Sequence, residues 1–319
     1  MGRYLDANSI TLLEIITRKI RRIFPQEAVA KTPTLRIYLI QEINFLESCM
    51  SLKAMYNELN HNSANRFGAI SKSHEVAIAQ IQKFYLGMKP HYKILDLGVG
   101  DASFLRKLER VLPLAEFTGI DVSAEMLRHA REILPLVTIE ASAAQASRYL
   151  PPHSQDLILA HFINAYLPID TLLQEAKLLT RANGHFSMIT TTYDSFPVAQ
   201  QRLAEFIAQD SILSSIVGHY YKSIVKNSTV AANNEELMLA LKQNQFEVIA
   251  HQRLEIPVTL NNINELALFG IEGTWFLNNL SIRMLPKNFL VERLKRLFSK
   301  IFTFPYHDTH IIDVVLAKK

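Results

Sequence analysis

Apolar residues between positions 93 and 191 follow two alternating spacings. Short continuous apolar runs predict buried strands, and between them apolar residues recur every three or four positions, which is typical of amphipathic helices. The predicted strands are residues 93–97, 116–121, 137–141, 156–160 and 185–191. Strands that alternate with helices in this way predict a parallel sheet with helices on both faces.

Two further strands are predicted later in the chain, at residues 246–256 and 310–317. The segments that precede them are too long to be structureless loops in a compact domain. We therefore expect helical insertions at about 194–233 and 258–305.

The N-terminal part of the chain shows helical spacing of its apolar residues. It predicts a helical extension over residues 1–88, which places the main domain at 89–319. The fold class predicted for that domain is α/β, with a doubly wound, mostly parallel, seven-stranded sheet.

Glycines and acids cluster where the first two predicted strands end. Gly98 and Gly100 follow the first strand, although the chain has only 10 glycines in 319 residues. Glycine lets a backbone approach a ligand without a Cβ in the way. Asp121 ends the second strand, where its carboxylate is placed to accept hydrogen bonds from the two hydroxyls of a ribose. Because ligands of open parallel sheets lie at the carboxyl ends of the strands, this pattern predicts a nucleotide site.

Two residues indicate which nucleotide is bound. A dinucleotide fingerprint requires a third glycine at position 103, which is Ser103 here. Asp96 precedes the glycines, and an acid there favours a ligand that carries positive charge close to the turn. The stretches Asp96–Ala102 and Gly119–Ser123 resemble class I S-adenosylmethionine-dependent methyltransferases, whose cofactor carries a sulfonium and an amino group. The family commonly has a third glycine in this loop, where this chain has Ala102.

The resemblance implies a Rossmann-like fold, S-adenosyl-L-methionine as cofactor, and a set of cofactor-binding residues. A tyrosine-containing segment before the first strand folds over the cofactor in related enzymes, and an arginine there would pair with the methionine carboxylate. The residues assigned to the cofactor on these grounds are Tyr56, Arg66, Asp96, Gly98, Gly100, Asp121, Val122, Met126, Ser142, Ala143 and His161.

The segment after the fourth strand supplies the candidate catalytic residues. His161 is the candidate general base because imidazole titrates near neutrality, although the sequence favours a histidine that packs against the cofactor or in the core. Asn164 and Tyr166 are candidates for orienting the acceptor, and Tyr193–Asp194 is a second acid–base option. The segment lacks the Asn-Pro-Pro-aromatic sequence of enzymes that methylate nucleic-acid bases, so no DNA partner is expected. No spacing of His, Cys and acids predicts a metal site.

Composition and charge add little to this picture. The chain is 49% hydrophobic, has one cysteine, Cys49, and has no apolar run long enough to span a bilayer, so a cytoplasmic protein is expected. The net charge of +4 is concentrated in residues 1–36, with seven basic and three acidic residues, and 283–300, with six and one. Both segments predict amphipathic helices, whose basic faces are either solvated or, less favoured, in contact with a membrane surface.

The predicted function is methyl transfer from S-adenosyl-L-methionine to an oxygen or nitrogen of a small-molecule acceptor. Two alternatives stay open: methylation of a protein or RNA, and a non-catalytic cofactor-binding protein that recognises a partner through its basic helices. A nicotinamide-dependent enzyme is disfavoured by Ser103 and Asp96. The sequence specifies neither the acceptor nor the oligomeric state.

Overall fold

The computed structural model describes residues 65, 67–85, 91–209, 211, 214–215, 217–218, 229–272 and 287–319. The chain divides into two compact units. One comprises Tyr56–Leu280 and Val291–Lys319, and it contains nearly all of the described residues. The other comprises Met1–Met55 and Ser281–Leu290, of which only the last four residues are described. Among the described helices, none has the length and apolar character that crossing a membrane requires.

Helices and strands alternate along the described chain. The helices are α1 (Ala69–Tyr85), α2 (Ser103–Glu109), α3 (Ala124–Ile133), α4 (Ile169–Leu179), α5 (Pro197–Ile207), α6 (Asn234–Gln243), α7 (Ile263–Glu272) and α8 (Lys287–Phe298). The strands are β1 (Lys93–Leu97), β2 (Glu116–Asp121), β3 (Val137–Glu140), β4 (Gln155–His161), β5 (Thr180–Thr190), β6 (Glu247–Leu260) and β7 (Tyr306–Lys318). Two 3-10 helices, Ala143–Arg148 and Ile163–Ala165, follow β3 and β4.

The seven described strands form one sheet in the order β3-β2-β1-β4-β5-β7-β6. The first five strands of this order are parallel, and β7 runs antiparallel to both of its neighbours. This confirms the predicted α/β class and the mostly parallel, seven-stranded sheet. Apolar side chains of α1, α2 and α3 pack on one face of the sheet, and those of α4 and α6 pack on the other.

Three strands extend at least four residues beyond the bounds that the sequence predicts. β5 begins at Thr180 rather than at residue 185, because the residues around Asn183 form a bulge inside the strand, where the pairing with β4 shifts register. β6 continues to Leu260 and β7 begins at Tyr306. Beyond residue 256 the side chains of β6 are alternately exposed and buried, and Pro257 is tolerated because β6 is an edge strand.

The long hairpin of β6 and β7 extends past the parallel strands. The last residue of β5, Thr190, pairs with Asp313, and β6 runs in the same direction as β5. Residues 254–260 and 306–312 therefore lie beyond the carboxyl end of the parallel strands. Besides the apolar clusters on the two faces of the sheet, a third hydrophobic cluster surrounds these residues. It includes apolar side chains of α5, α7 and α8, among them Phe206, Phe269 and Phe298. The predicted insertions thus contribute a layer at the carboxyl end of the sheet.

Helix α1 is joined to the opposite, amino end of the sheet by a buried tyrosine. The Tyr85 hydroxyl donates to the Asp156 carbonyl oxygen at 2.8 Å and lies 2.9 Å from His185 Nδ1. The helix itself packs against β7, β5 and β6. Residues 69–85, which the sequence assigns to an N-terminal extension, are thus packed on the sheet, and the domain boundary near residue 88 stays a prediction.

Replacement of Tyr85 by phenylalanine is expected to lower the free energy of unfolding by about 1–2 kcal/mol. The reason is that the Asp156 carbonyl oxygen and His185 Nδ1 both lose their hydrogen bond to the tyrosine hydroxyl. Urea denaturation measures the change. Tyr149→Phe is the matched control, since Tyr149 is 52% exposed and its variant should unfold like the wild type. Equal midpoints for the two variants would contradict the role of the buried hydroxyl.

Candidate functional site

The turn after β1 is held against the end of β2 by backbone hydrogen bonds. The N–H groups of Gly98 and Val99 both donate to the Ile120 carbonyl oxygen, at 2.8 and 3.0 Å. Gly98, Gly100 and Ala102 have φ angles of 78°, 55° and 60°, so all three lie in the left-handed region. Glycine adopts this conformation without strain, whereas it costs Ala102 about 1 kcal/mol.

The glycines of the turn have different surroundings. A Cβ on Gly98 would lie 2.5 Å from Ile163 Cδ1, and a Cβ on Gly119 would lie 2.8 Å from Val99 Cγ1. These two glycines therefore allow close packing of the turn against β2 and against the segment after β4. A Cβ on Gly100 would meet nothing within 4 Å. Gly100 thus presents bare backbone to open space, which is what the close approach of a ligand requires.

Asp121 holds the turn and the start of α3 together. Its Oδ2 accepts from the Gly100 N–H at 3.0 Å, and its Oδ1 accepts from the Ser123 N–H at 2.8 Å. Ser123 in turn caps α3, because its hydroxyl oxygen accepts from the Met126 N–H at 3.2 Å. Each carboxylate oxygen of Asp121 can accept more than one hydrogen bond, so ribose hydroxyls can be added to these contacts.

Asp96 is a buried acid with no compensating group. Its side chain is 3% exposed, and no hydrogen bond or ion pair to it is found among the residues that the structure describes. Burial, followed by the negative charges of Asp121 and Asp101, raises the pKa of Asp96 to about 8. A carboxylate in this position favours a ligand that brings positive charge to the turn, because an unpaired buried charge is costly.

Residues after β2 and β3 border the same turn. Val122 follows Asp121 and is 45% exposed, which makes it an apolar surface beside the site. Met126 is buried on α3. The Ala141 N–H donates to the Asp121 carbonyl oxygen at 3.0 Å, and this bond brings the following Ser142 and Ala143 to the same edge. Here the Ser142 hydroxyl oxygen accepts from the Ala144 N–H at 3.3 Å and caps a 3-10 helix.

His161 ends β4 with its ring beneath α2. Its Nε2 lies 3.1 Å from Ser187 Oγ, and its ring centroid lies 4.2 Å from that of Phe104, edge to face. Burial, followed by the neighbouring His74, holds the pKa of His161 well below its usual value. His161 is therefore a neutral imidazole at pH 7, and its predicted role as a general base stays a prediction.

The segment after β4 contains the two candidates for orienting an acceptor. Asn164 is 1% exposed, and its Oδ1 accepts from the Thr190 hydroxyl at 2.5 Å, which ties the ends of β4 and β5 together. Tyr166 follows the 3-10 helix, and its backbone N–H donates to the Ile163 carbonyl oxygen at 2.9 Å. Tyr56 and Arg66, predicted to cover the cofactor, lie outside the described residues.

Sequence reasoning missed a buried ionic network near the end of β5. Asp313 of β7 is fully buried, and its two oxygens lie 2.8 Å from His251 Nε2 and 3.4 Å from Arg253 Nη1. Arg253 also pairs at 2.5 Å with Asp194, the second acid–base candidate, whose carboxylate is thereby engaged. The available signal was an acid inside the apolar run 311–316, which is unusual in a buried strand.

Comparisons with known proteins find similarity over part of the chain. Residues 94–184 match the family model of a methyltransferase domain. The trans-aconitate 2-methyltransferase of Afipia carboxidovorans is 41% identical over 87 residues, which are 27% of this chain and 32% of that protein. The trans-aconitate 2-methyltransferase of an Azoarcus species is 38% identical over 92 residues, 28% of this chain and 36% of that protein. The matched stretches thus span about a third of the length of these relatives.

Solved structures of low sequence identity resemble the chain over a longer range. The YcgJ protein of Bacillus subtilis superimposes with a TM-score of 0.48 at 12% identity, covering 77% of this chain and 98% of that one.

Proposed function

We propose that this chain contains a domain of the class I, Rossmann-like S-adenosylmethionine-dependent methyltransferases and that it methylates a small-molecule acceptor on oxygen or nitrogen. The observation that carries the proposal is the buried carboxyl group of Asp96 beside the glycine turn, which has no hydrogen-bond or ion-pair partner among the described residues. A nicotinamide dinucleotide brings a pyrophosphate to such a turn, whereas S-adenosyl-L-methionine brings a sulfonium and an ammonium group.

The residues at the turn fit this cofactor. Gly100 leaves room for the amino-acid portion of the ligand, and Asp96 supplies a negative charge for its cationic groups. Asp121 is already oriented by two backbone donors and keeps acceptor capacity for the ribose hydroxyls. The apolar surface of Val122 beside it suits the flat face of an adenine.

When bound, S-adenosyl-L-methionine supplies a methyl group on a positively charged sulfur, so the chemical drive for transfer is in the cofactor. The protein must then align the acceptor with the methyl group, exclude water, and remove a proton where the acceptor carries one. We propose Tyr166 for orienting the acceptor and His161 for receiving its proton. The lowered pKa of His161 keeps the imidazole neutral and able to accept, although it makes the group a weak base.

The apolar layer at the carboxyl end of the sheet favours a small-molecule acceptor over a protein or RNA. The hairpin of β6 and β7 and the third hydrophobic cluster lie beyond the carboxyl end of the parallel strands, where the acceptor must meet the cofactor. Apolar side chains at this position, among them Phe269 and Phe196, suit a small acceptor, whereas the basic residues of α8 in the same layer keep RNA as an alternative for the test below. The relatives that are named for trans-aconitate make this acid the first acceptor to test.

The proposal is tested by incubating the protein with S-adenosyl-L-methionine that carries a labelled methyl group and a panel of small acids, alcohols and amines. Formation of S-adenosylhomocysteine together with a labelled small product supports it. Label that appears only in protein or RNA, or tight binding without turnover of any acceptor, would favour the alternatives. Tyr166→Phe and His161→Asn then test the two catalytic roles, since each should reduce kcat by a much larger factor than it raises the dissociation constant of the cofactor.

A further inference from the structure

We propose that Asn164 binds the acceptor and selects its chemical class, because its side-chain amide donates a hydrogen bond to a carbonyl or carboxylate oxygen of the acceptor. This role rests on the function proposed above. It narrows that function, since it excludes acceptors that carry no carbonyl or carboxylate oxygen and names the residue that excludes them.

Asn164 lies between the glycine turn and the end of β5, in the 3-10 helix that follows β4. The preceding Ile163 packs so closely on the turn that a Cβ on Gly98 would lie 2.5 Å from its Cδ1. On the other side, Asn164 Oδ1 accepts from the hydroxyl of Thr190, the last residue of β5, at 2.5 Å. The proposed cofactor takes the ends of β1 and β2, so the acceptor is left with the ends of β4 and β5, beside this amide.

Asn164 Nδ2 is a buried donor without a hydrogen-bond partner among the described residues, in a side chain that is 1% exposed. His161 Nδ1, at the end of β4, is a second such atom in this part of the chain. Because buried polar groups are nearly always hydrogen-bonded, two such nitrogens at the ligand-binding edge of the sheet indicate that a ligand completes the bonding there. The bond from Thr190 holds the amide in place and keeps Nδ2 available for that ligand.

The amide nitrogen specifies the kind of group that it binds. Nδ2 has two N–H donors and no lone pair, so the ligand must bring an atom that accepts. A carbonyl or carboxylate oxygen does so without bringing a proton of its own. A hydroxyl brings a donor and an ammonium brings donors only, while the oxygen of the same amide is already engaged by Thr190. Either group would leave a donor unsatisfied at a buried position, which is costly.

The acceptor class is tested with the full-length protein, S-adenosyl-L-methionine that carries a labelled methyl group, and the panel of small acids, alcohols and amines. We expect labelled product only from compounds that carry a carbonyl or carboxylate oxygen. Product from an amine or alcohol without such an oxygen would overturn the role of Asn164 and leave the proposed function standing. If no compound is methylated, the proposed function itself fails, so the two failures are distinguishable.

Asn164→Asp tests the residue with the best acceptor of that panel. The substitution keeps an oxygen for the Thr190 hydroxyl and replaces the N–H donors by an anionic oxygen in a side chain of the same shape. The KM of the acceptor should rise by about tenfold or more. An analogue of that acceptor with an aminomethyl group in place of its carbonyl or carboxylate should inhibit the variant about tenfold more strongly than it inhibits the wild type.

Thr190→Val is the matched control, because it removes the hydrogen bond on the other side of the amide and leaves the N–H donors in place. It should lower the melting temperature, and the amine analogue should inhibit it as weakly as it inhibits the wild type. An unchanged KM in folded Asn164→Asp, or stronger inhibition by the amine in both variants, would overturn the proposal. The panel decides the acceptor class without any variant, so the proposal stays falsifiable if Asn164→Asp does not fold.

Discussion

Replacement of Gly100 by valine is expected to weaken binding of S-adenosyl-L-methionine by about 100-fold or more while the protein stays folded. Gly100 has a φ of 55° and faces open space, so a branched side chain meets no protein atom nearby and instead fills the volume that the ligand needs. The left-handed conformation costs the variant about 1–2 kcal/mol of stability. Isothermal titration measures the affinity, and thermal unfolding confirms the fold.

Gly68 provides a control with the same backbone constraint. Its φ is 72° and a Cβ there would meet nothing within 4 Å, but it precedes α1 and lies outside the glycine turn. Gly68→Val should therefore lose a similar amount of stability and bind the cofactor like the wild type. Equal loss of affinity in both variants would show that strain, rather than occupation of the ligand volume, explains the effect at Gly100.

The second large effect is expected at Asp313, where alanine should lower the free energy of unfolding by about 3 kcal/mol or more. Asp313 is fully buried and lies against His251 and Arg253, which keep 26% and 25% exposure. Its removal leaves His251 without its acidic partner, reduces Arg253 to its single pair with Asp194, and opens a gap between β6 and β7. Urea denaturation measures the change, and Asp313→Asn separates the lost charge from the lost volume.

Glu125 serves as the comparison for this variant, since its ion pair with Arg128 is solvent-exposed on α3. Exposed pairs contribute little because water and salt screen them. Glu125→Ala should unfold like the wild type. If Asp313→Ala also left the free energy of unfolding unchanged, the network at the end of β5 would have no role in stability.

The sequence was most informative where local spacing determines structure. The strand alternation predicted the parallel part of the sheet, and the pattern of Gly98, Gly100 and Asp121 predicted a turn that the structure shows to be joined by a hydrogen bond from Gly100 to Asp121. These residues are near in space because parallel strands end at the same edge, which follows from topology alone.

Features that depend on distant contacts were not predictable. The burial of His161 beneath Phe104 and beside Ser187 arises from α2 and β5, and no local pattern reports it. The extension of β6 past Pro257 depends on its position at the edge of the sheet. Likewise, Asp313 meets His251 and Arg253 only because β6 and β7 pair in one particular register. Tyr56 and Arg66 lie outside the described residues, so their predicted contacts with the cofactor stay predictions.

The most direct test of the account is titration of the wild-type protein with S-adenosyl-L-methionine, S-adenosylhomocysteine and NAD, repeated with Asp121→Ala. We expect micromolar affinity for the two sulfur nucleotides, no binding of NAD, and loss of the sulfur-nucleotide affinity in the variant, because Asp121 accepts a hydrogen bond from Gly100 and is the residue that we propose for the ribose hydroxyls. Binding of NAD alone would contradict the assignment of the site.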